Sequence, residues 1–295
     1  MRAFPGEAEM KPVVAVIAPG NMGAAVGARL VERGAKVVTS LEGRSAASAE
    51  RARAAGMVAA SDAEIAAADF VLSIVPPKQA LPLAERLAPS LSATNQKPLY
   101  VDCNAVSPET VARIAAIIAE TGCPFVDGGI IGGPPRAGYQ GPSFFVSGGE
   151  AKRAEALGEG GLLIRVMDGG IGAASALKMC FGGVTKGLTA VGAAMALAAH
   201  RAGVADALKA ELSASQAAVF ARLVQAVPDM FPKAYRWVAE MEEIASFVGD
   251  RPEREMFQGI AGLYERLADD FEQSRPEIEA LAEFFASPPK KNQAR

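Results

Sequence analysis

The chain reads as an α/β protein with an N-terminal doubly wound, Rossmann-type domain over residues 1–170 and an all-helical domain over 171–295, joined by a long helix. Three observations predict this. Short β-rich apolar runs alternate with helical patterns through roughly the first 165 residues, the signature of a largely parallel sheet covered by helices. The alternation ends in an apolar, small-residue, proline-free run at 169–203, too long for anything but a helix. Beyond it, 205–285 shows helical periods and no convincing strand, with breaks near Pro228, Pro232, 249–252 and Pro276.

Composition narrows the function classes. Of 295 residues half are apolar, ample for two cores, and the net charge of −3 gives no electrostatic footprint for nucleic acid or acidic membrane. A small-molecule protein is the default. The opening residues 1–11 lack an apolar signal-peptide core, and the longest uncharged small-residue run, 187–199, is too short to span a bilayer, so a cytoplasmic protein is expected. Cys103, Cys123 and Cys180 are odd in number and lack metal-ligand spacing, which predicts reduced, mostly buried thiols. With a single histidine in the chain, a multi-histidine metal site is excluded and no metal is expected.

Taken in order, residues 13–18 (VVAVIA) form a first strand, followed by Pro19-Gly20-Asn21-Met22-Gly23 and a helical pattern over 24–33. Glycine in such a turn lets the backbone approach a pyrophosphate seated on the free N–H groups of the helix. The fingerprint G-x-G-x-x-G is met at its second and third glycines, with Ala18 at the first; a glycine turn that binds no nucleotide is the alternative. A second strand at 35–40 ends in Ser40-Leu41-Glu42-Gly43-Arg44-Ser45, where NAD-binding chains carry an acidic residue for the ribose. The small hydroxyl of Ser40 with Arg44 and Ser45 close behind suits a 2′-phosphate and favours NADP. Glu42 keeps NAD open, with Arg44 then a solvated loop residue.

The third strand, 70–75, is ended by Pro76-Pro77 and followed by an amphipathic helix over 78–87. The fourth, 99–103, leads through Asn104 to Ser107-Pro108, a helix cap with proline at the first position. Further strands begin at Phe125 and at 144–147 and 162–167. Turns starting at Gly20, Pro76, Asn104 and Gly128 all lie at carboxyl ends of strands, where ligands of such sheets bind.

Within the long helix, Ser175, Lys178, Gly182, Thr185 and Thr189 fall within roughly 80° of one another at 100° per residue. One amine projects from a stripe of hydroxyls and glycine. Burial lowers a lysine's pKa toward the working range of a proton-transfer group; a lysine that snorkels to the surface is the alternative. His200, 22 positions on (178 to 200), stands about 33 Å away along the helix and cannot share a substrate with Lys178. In the second half, 236–247 and 253–271 read as amphipathic helices with Trp237, Met241, Phe257 and Tyr264 as core or subunit-interface residues, and 287–295 as a short polar tail.

This order of motifs resembles the β-hydroxyacid dehydrogenases and 6-phosphogluconate dehydrogenase over nearly the whole chain. The run A-S-A-L-K-M-C around Lys178 resembles the branch whose C-terminal domain is catalogued as DUF1932. The resemblance implies that Gly20, Asn21, Met22 and Gly23 form the cofactor turn and that Asn104 sits near the nicotinamide; Pro76, at a neighbouring strand end, is expected to touch the cofactor as well. It implies that Ile131, Gly132 and Gly133, with Gly141-Pro142-Ser143 downstream, form the substrate loop written V-S-G-G in the family. Lys178 matches the catalytic lysine of G-x-G-x-x-x-K, Gly172 being the first glycine and Ala174 replacing the second.

Two departures bear on substrate. Ile131 replaces the loop serine, and Gly182 replaces the asparagine four residues after the lysine. Either the substrate is larger and less polar there, using the room Gly182 leaves, or its anchor has moved to Arg136, Tyr139, Thr185 or Lys186. The expectation is an NADP-dependent dehydrogenase for a small hydroxy acid or related alcohol, with Lys178 as general acid/base and Gly182 and Thr185 beside the substrate. An imine reductase and a non-catalytic NADP-binding protein are the alternatives. The apolar helix and helical second half predict a homodimer.

Overall fold

The computed structural model describes residues 12–286 and divides into two compact units at Lys178–Met179, inside the long helix and somewhat later than the boundary read from the sequence. The tail at 287–295 and the opening 1–11, on which two expectations rest, lie outside the described residues.

In the first unit eight strands form one sheet: β1 (Val13–Ile17), β2 (Lys36–Thr39), β3 (Val58–Ala59), β4 (Phe70–Ser73), β5 (Leu99–Asp102), β6 (Phe125–Ile131), β7 (Ser143–Ser147) and β8 (Leu163–Val166). Their order is β3-β2-β1-β4-β5-β6-β7-β8, parallel at every pairing except the antiparallel β6–β7. The strand order reverses between β1 and β4, the switch point at which doubly wound sheets bind ligands. Helices α1 (Asn21–Glu32), α2 (Ala46–Ala54), α3 (Asp62–Ala66), α4 (Pro77–Ala93) and α5 (Pro108–Glu120), with a 3₁₀ segment at Ala151–Gly158, complete the unit. Alternate strand residues feed two separate cores. Ala15, Ile17, Val71 and Tyr100 pack with Leu83, Leu87 and Ile114 on one face, and Val14, Val16, Leu72 and Val101 with Val26, Leu30 and Leu157 on the other.

Helix α4 outruns the 78–87 expected because Pro82 and Pro89 stand on its exposed side while Ala80, Leu83, Ala84, Leu87 and Leu91 make one buried stripe. The hydrogen bonds these prolines delete are therefore on the side where water replaces them.

The long helix α6 (Ala173–Arg201) begins later than the run at 169. Gly169 and Gly172 have φ of 123° and 101°, outside any right-handed helix, so the turn before it must be glycine. By length and composition α6 is able to cross a bilayer, which the uncharged run alone understates. Its glycines, however, serve protein packing.

The second unit contains the rest of α6 with α7 (Ala205–Ser215), α8 (Ala217–Met230), α9 (Ala234–Phe247), α10 (Pro252–Glu272) and α11 (Pro276–Phe284), and no strand among the described residues. A Cβ on Gly183 would stand 3.2 Å from Phe257 and one on Gly192 2.6 Å from Leu223, so these glycines let α10 and α8 lie close to α6. Met241, Tyr264, Leu267 and Leu281 are fully buried here. Tyr264 stacks edge-on against half-buried Trp237 and donates its hydroxyl to the Lys186 carbonyl at 2.6 Å. Cys103 and Cys123 are buried as expected, whereas Cys180 is exposed.

Candidate active site

The β1–α1 turn has the features an incoming pyrophosphate requires. Gly20 N-caps α1 with no side-chain cap and no acidic residue in the first turn, leaving the first N–H groups and the positive helix end unanswered. A Cβ on Gly20 would meet nothing within 4 Å, so open space lies over this turn. A Cβ on Gly23 would fall 2.0 Å from the Ala18 carbonyl oxygen, which makes glycine obligatory where α1 settles on β1. Ala18, in the first glycine position, is buried just after β1. Asn21 is exposed and Met22 half-buried. Arg51 braces the turn by donating Nε to the Pro19 carbonyl at 3.2 Å.

At the end of β2 the structure adds a residue that the sequence does not single out. Arg86 on α4 donates Nη1 to the buried Ser40 hydroxyl at 3.2 Å and pairs with Asp62 at 3.4 Å. Arg44 donates to Gln79 Oε1 at 3.4 Å, and its pKa is lowered first by burial and then by the nearby Arg86 charge. Two guanidinium groups thus share one strand end. Ser45, expected to touch cofactor, accepts from the Ser48 amide at 3.3 Å and caps α2. No local pattern announces Arg86: it sits on an amphipathic helix far from the β2 turn.

Exposed Pro76 caps α4 at the carboxyl end of β4. Beside it Asn104 is only 1 % exposed, and its amide is engaged inside the protein. Its Oδ1 accepts from the Val75 N–H at 2.7 Å, while Nδ2 donates to Ser73 Oγ at 2.7 Å and to Asp102 Oδ2 at 2.9 Å. Through these bonds Asn104 ties together the turns after β4 and β5. Burial pushes the Asp102 carboxyl up to about 7, with the Asp127 charge adding to the rise and the bonds from Asn104 and the charge of Lys178 opposing it.

Lys178 is half-buried on α6 with Nζ 3.4 Å from the Cys103 carbonyl oxygen, at the carboxyl end of β5. Its stem lies along β6: a Cβ on Gly129 would meet Lys178 Cβ at 3.4 Å and the Ala174 carbonyl oxygen at 2.8 Å. Glycine at 129 therefore admits the helix. Ser175, one turn before, donates to Asp127 at 2.6 Å and is fully buried.

Half-buried Ile131 ends β6, and the loop after it opens with Gly132 and Gly133, both exposed. Gly132 has φ of 126°, and a Cβ there would stand 2.9 Å from the Tyr139 hydroxyl. Arg29 holds the far side by donating to the Gln140 and Tyr139 carbonyls at 3.0 and 3.2 Å, and Arg136 lies over the Tyr139 ring.

In the second unit the structure shows what three of the expected residues touch. Gly182 is buried, and a Cβ there would meet Ile244 Cδ1 of α9 at 3.5 Å, an ordinary contact. Thr185 donates its hydroxyl back to the Phe181 carbonyl at 2.8 Å. Lys186 pairs with Glu240 over the Trp237 ring and is not a free anchor. Among the described residues no cluster of three metal-ligating side chains exists.

Residues 13–159 match the NAD binding domain of 6-phosphogluconate dehydrogenase, and residues 199–267 match a domain of unknown function, DUF1932. An uncharacterised 28.5 kDa protein of Methanothermus fervidus is 31% identical over 216 residues, covering 72% of this chain and 82% of that one. The chain belongs to the 6-phosphogluconate dehydrogenase-like superfamily, in its DUF1932 branch. A solved protein of unknown function, described as structurally similar to 3-hydroxyacid dehydrogenases, shares 30% identity at a TM-score of 0.66, covering 87% of this chain and 97% of its own. The Mycobacterium tuberculosis 3-hydroxyisobutyrate dehydrogenase has the same fold at 22% identity and TM-score 0.64, covering 94% and 98%. So does an imine reductase from Myxococcus stipitatus solved with NAD+, at 19% and 0.55, covering 93% and 99%. The sheet and its glycine turn thus have the architecture of NAD(P)-dependent oxidoreductases.

Proposed function

We propose that this protein is an NADP-dependent oxidoreductase that interconverts a small hydroxy acid, or a related alcohol, and its carbonyl form, with Lys178 as general acid/base. The observation that carries the reading is the placement of the Lys178 amine at the carboxyl end of β5, beside the Cys103 carbonyl. The nicotinamide, when bound, accepts or supplies the hydride. The chain does the rest. The amides of Asn21, Met22 and Gly23 hold pyrophosphate on the end of α1, and Arg44, Arg86 and Ser40 hold the 2′-phosphate. Lys178 takes the hydroxyl proton in oxidation and returns one to the carbonyl oxygen in reduction, its ammonium polarising that oxygen. Ile131 lines the substrate loop with an apolar side chain, and Gly132 and Gly133 offer backbone amides there.

An imine substrate is the second reading, favoured by Ile131 where a hydroxyl would bind a polar substrate. The test is NADPH turnover against 2- and 3-hydroxy acids, aldehydes, ketones and cyclic imines. Turnover of hydroxy acids or their carbonyl partners is the expected result. Activity on cyclic imines alone reassigns the enzyme, and tight NADPH binding with no turnover makes it a binding protein.

A homodimer belongs to this reading. Phe181, Val184, Val191 and Met195 are 48, 73, 55 and 55 % exposed on α6 and fall within about 80° of one another around it. Such an apolar stripe needs a cover, and a second copy supplies an equivalent one. Sedimentation at micromolar concentration should give a dimer, and Val184→Glu should release monomers. A wild-type monomer under those conditions refutes it.

A further inference from the structure

Four buried polar side chains lie in one row across the sheet. The register pairs Ser73 with Asp102, Asp102 with Asp127, and Asp127 with Ser147, on adjacent strands β4 to β7. All four are 0 % exposed. Two carboxyl groups therefore face each other across neighbouring strands, an arrangement that repels when both are charged. Their partners differ. Asp102 receives two bonds, both from Asn104. Asp127 receives four: at Oδ2 from Gly172 N (2.9 Å), Ser175 N (3.1 Å) and Ser147 Oγ (3.1 Å), and at Oδ1 from Ser175 Oγ (2.6 Å). Ser147 Oγ in turn accepts from Ala174 N at 3.0 Å. Two leading N–H groups of α6, those of Ala174 and Ser175, and that of Gly172 just before it are thus satisfied from β6 and β7 rather than by a cap of the helix's own sequence. A carboxylate there also answers the positive end of the helix.

We propose that Asp127 is the positioning residue for Lys178: its carboxylate fixes the first turn of α6 on β6 and so sets where the amine stands over the end of β5. The inference rests on the reading of Lys178 as the proton-transfer group. Lys178 follows Ser175 by three positions on the same helix face, and its stem passes Gly129, which shares the strand face of Asp127. Loosening the bonds at Gly172 and Ser175 moves the whole turn that carries the amine. The ionisable groups gathered around it are Asp102 and Cys103 from β5 and its turn and Asp127 from β6; Asp127 and Lys178 both act on the Asp102 carboxyl and on the Cys103 thiol.

The test reads the amine itself. Acetylation of Lys178 by acetic anhydride is followed against pH by mass spectrometry in the wild type, Asp127→Asn and Ser175→Ala, with Lys97 as internal standard and NADPH binding by fluorescence as the check on folding. Displacing the amine from the Asp102 carboxyl, on which Lys178 acts, removes an influence that favours the ammonium, so Asp127→Asn should lower the midpoint of the Lys178 profile by about one pH unit. Ser175→Ala, which removes one bond and no charge, should shift it the same way by less, and it serves if Asp127→Asn does not fold. The Lys97 profile should stay in place and NADPH affinity should change less than twofold. A Lys178 profile that stays put in the folded variants overturns the proposal. A lysine with no part in turnover would leave this result intact while failing the activity assay of Lys178→Ala, so the two ideas fail separately.

Discussion

Lys178→Ala should lower kcat by about 10²- to 10⁴-fold on the substrate that the wild type turns over, with NADPH affinity near normal. The size follows from what the residue does. A general acid/base positioned at the reacting oxygen contributes about that factor, and the cofactor is held by α1 and the end of β2 instead. The helix starts the side chain beside Gly129, and the amine reaches the Cys103 carbonyl at 3.4 Å. Lys178→Arg should rescue little, because a guanidinium holds its proton at any working pH. Steady-state kinetics with NADPH binding measured separately decide the matter. Near-wild-type activity in Lys178→Ala would make the lysine structural and return the proton to another group.

How much of this is legible in the sequence depends on how far apart the partners lie. The strand–turn–helix at 13–32 is readable because its causes are local: an apolar β run, glycines at the turn, and an apolar helical stripe. Even the need for Gly23 belongs to that local geometry, since the clash it avoids is with Ala18. The Asp127 anchor is not readable, because Asp127 and Ser175 meet only once β6 is in register with its neighbours and α6 has docked on it. Arg86 escapes for the same reason: α3 and α4 must form before Asp62 and Ser40 come within its reach. Gly182 shows a different limit. A glycine in a helix marks close approach by something, but the sequence does not distinguish a substrate from Ile244 of the neighbouring helix. Asn104 is legible by motif, but the bonds its amide makes to Val75, Ser73 and Asp102 are not, because they exist only once β4 and β5 lie side by side.

The paired variant Arg44→Ala/Arg86→Ala should weaken NADPH binding by about 10²-fold or more while leaving NADH within about twofold. The two cofactors differ only by the 2′-phosphate, so the difference isolates this strand end. Each charge-assisted bond to a phosphate is worth about 1.5–3 kcal/mol, roughly 10- to 100-fold apiece. The two terms should not simply add. Burial and the Arg86 charge lower the Arg44 pKa, a sign that the two guanidinium groups repel in the free protein, and a dianion between them relieves that repulsion. Removing either arginine therefore costs both a phosphate contact and that relief, so each single variant should lose more than about tenfold and the double variant less than the product of the two singles. Asp62 and Gln79 limit the effect further, since they already hold Arg86 and Arg44 in place and must share them with the phosphate. Titrations of NADPH and NADH by fluorescence, repeated at two salt concentrations, give the four affinities needed, and the NADPH term should shrink as salt rises. Equal losses for both cofactors, or a wild type that prefers NADH, would remove the 2′-phosphate from this pair of arginines and leave them as braces between α3, α4 and the turn after β2.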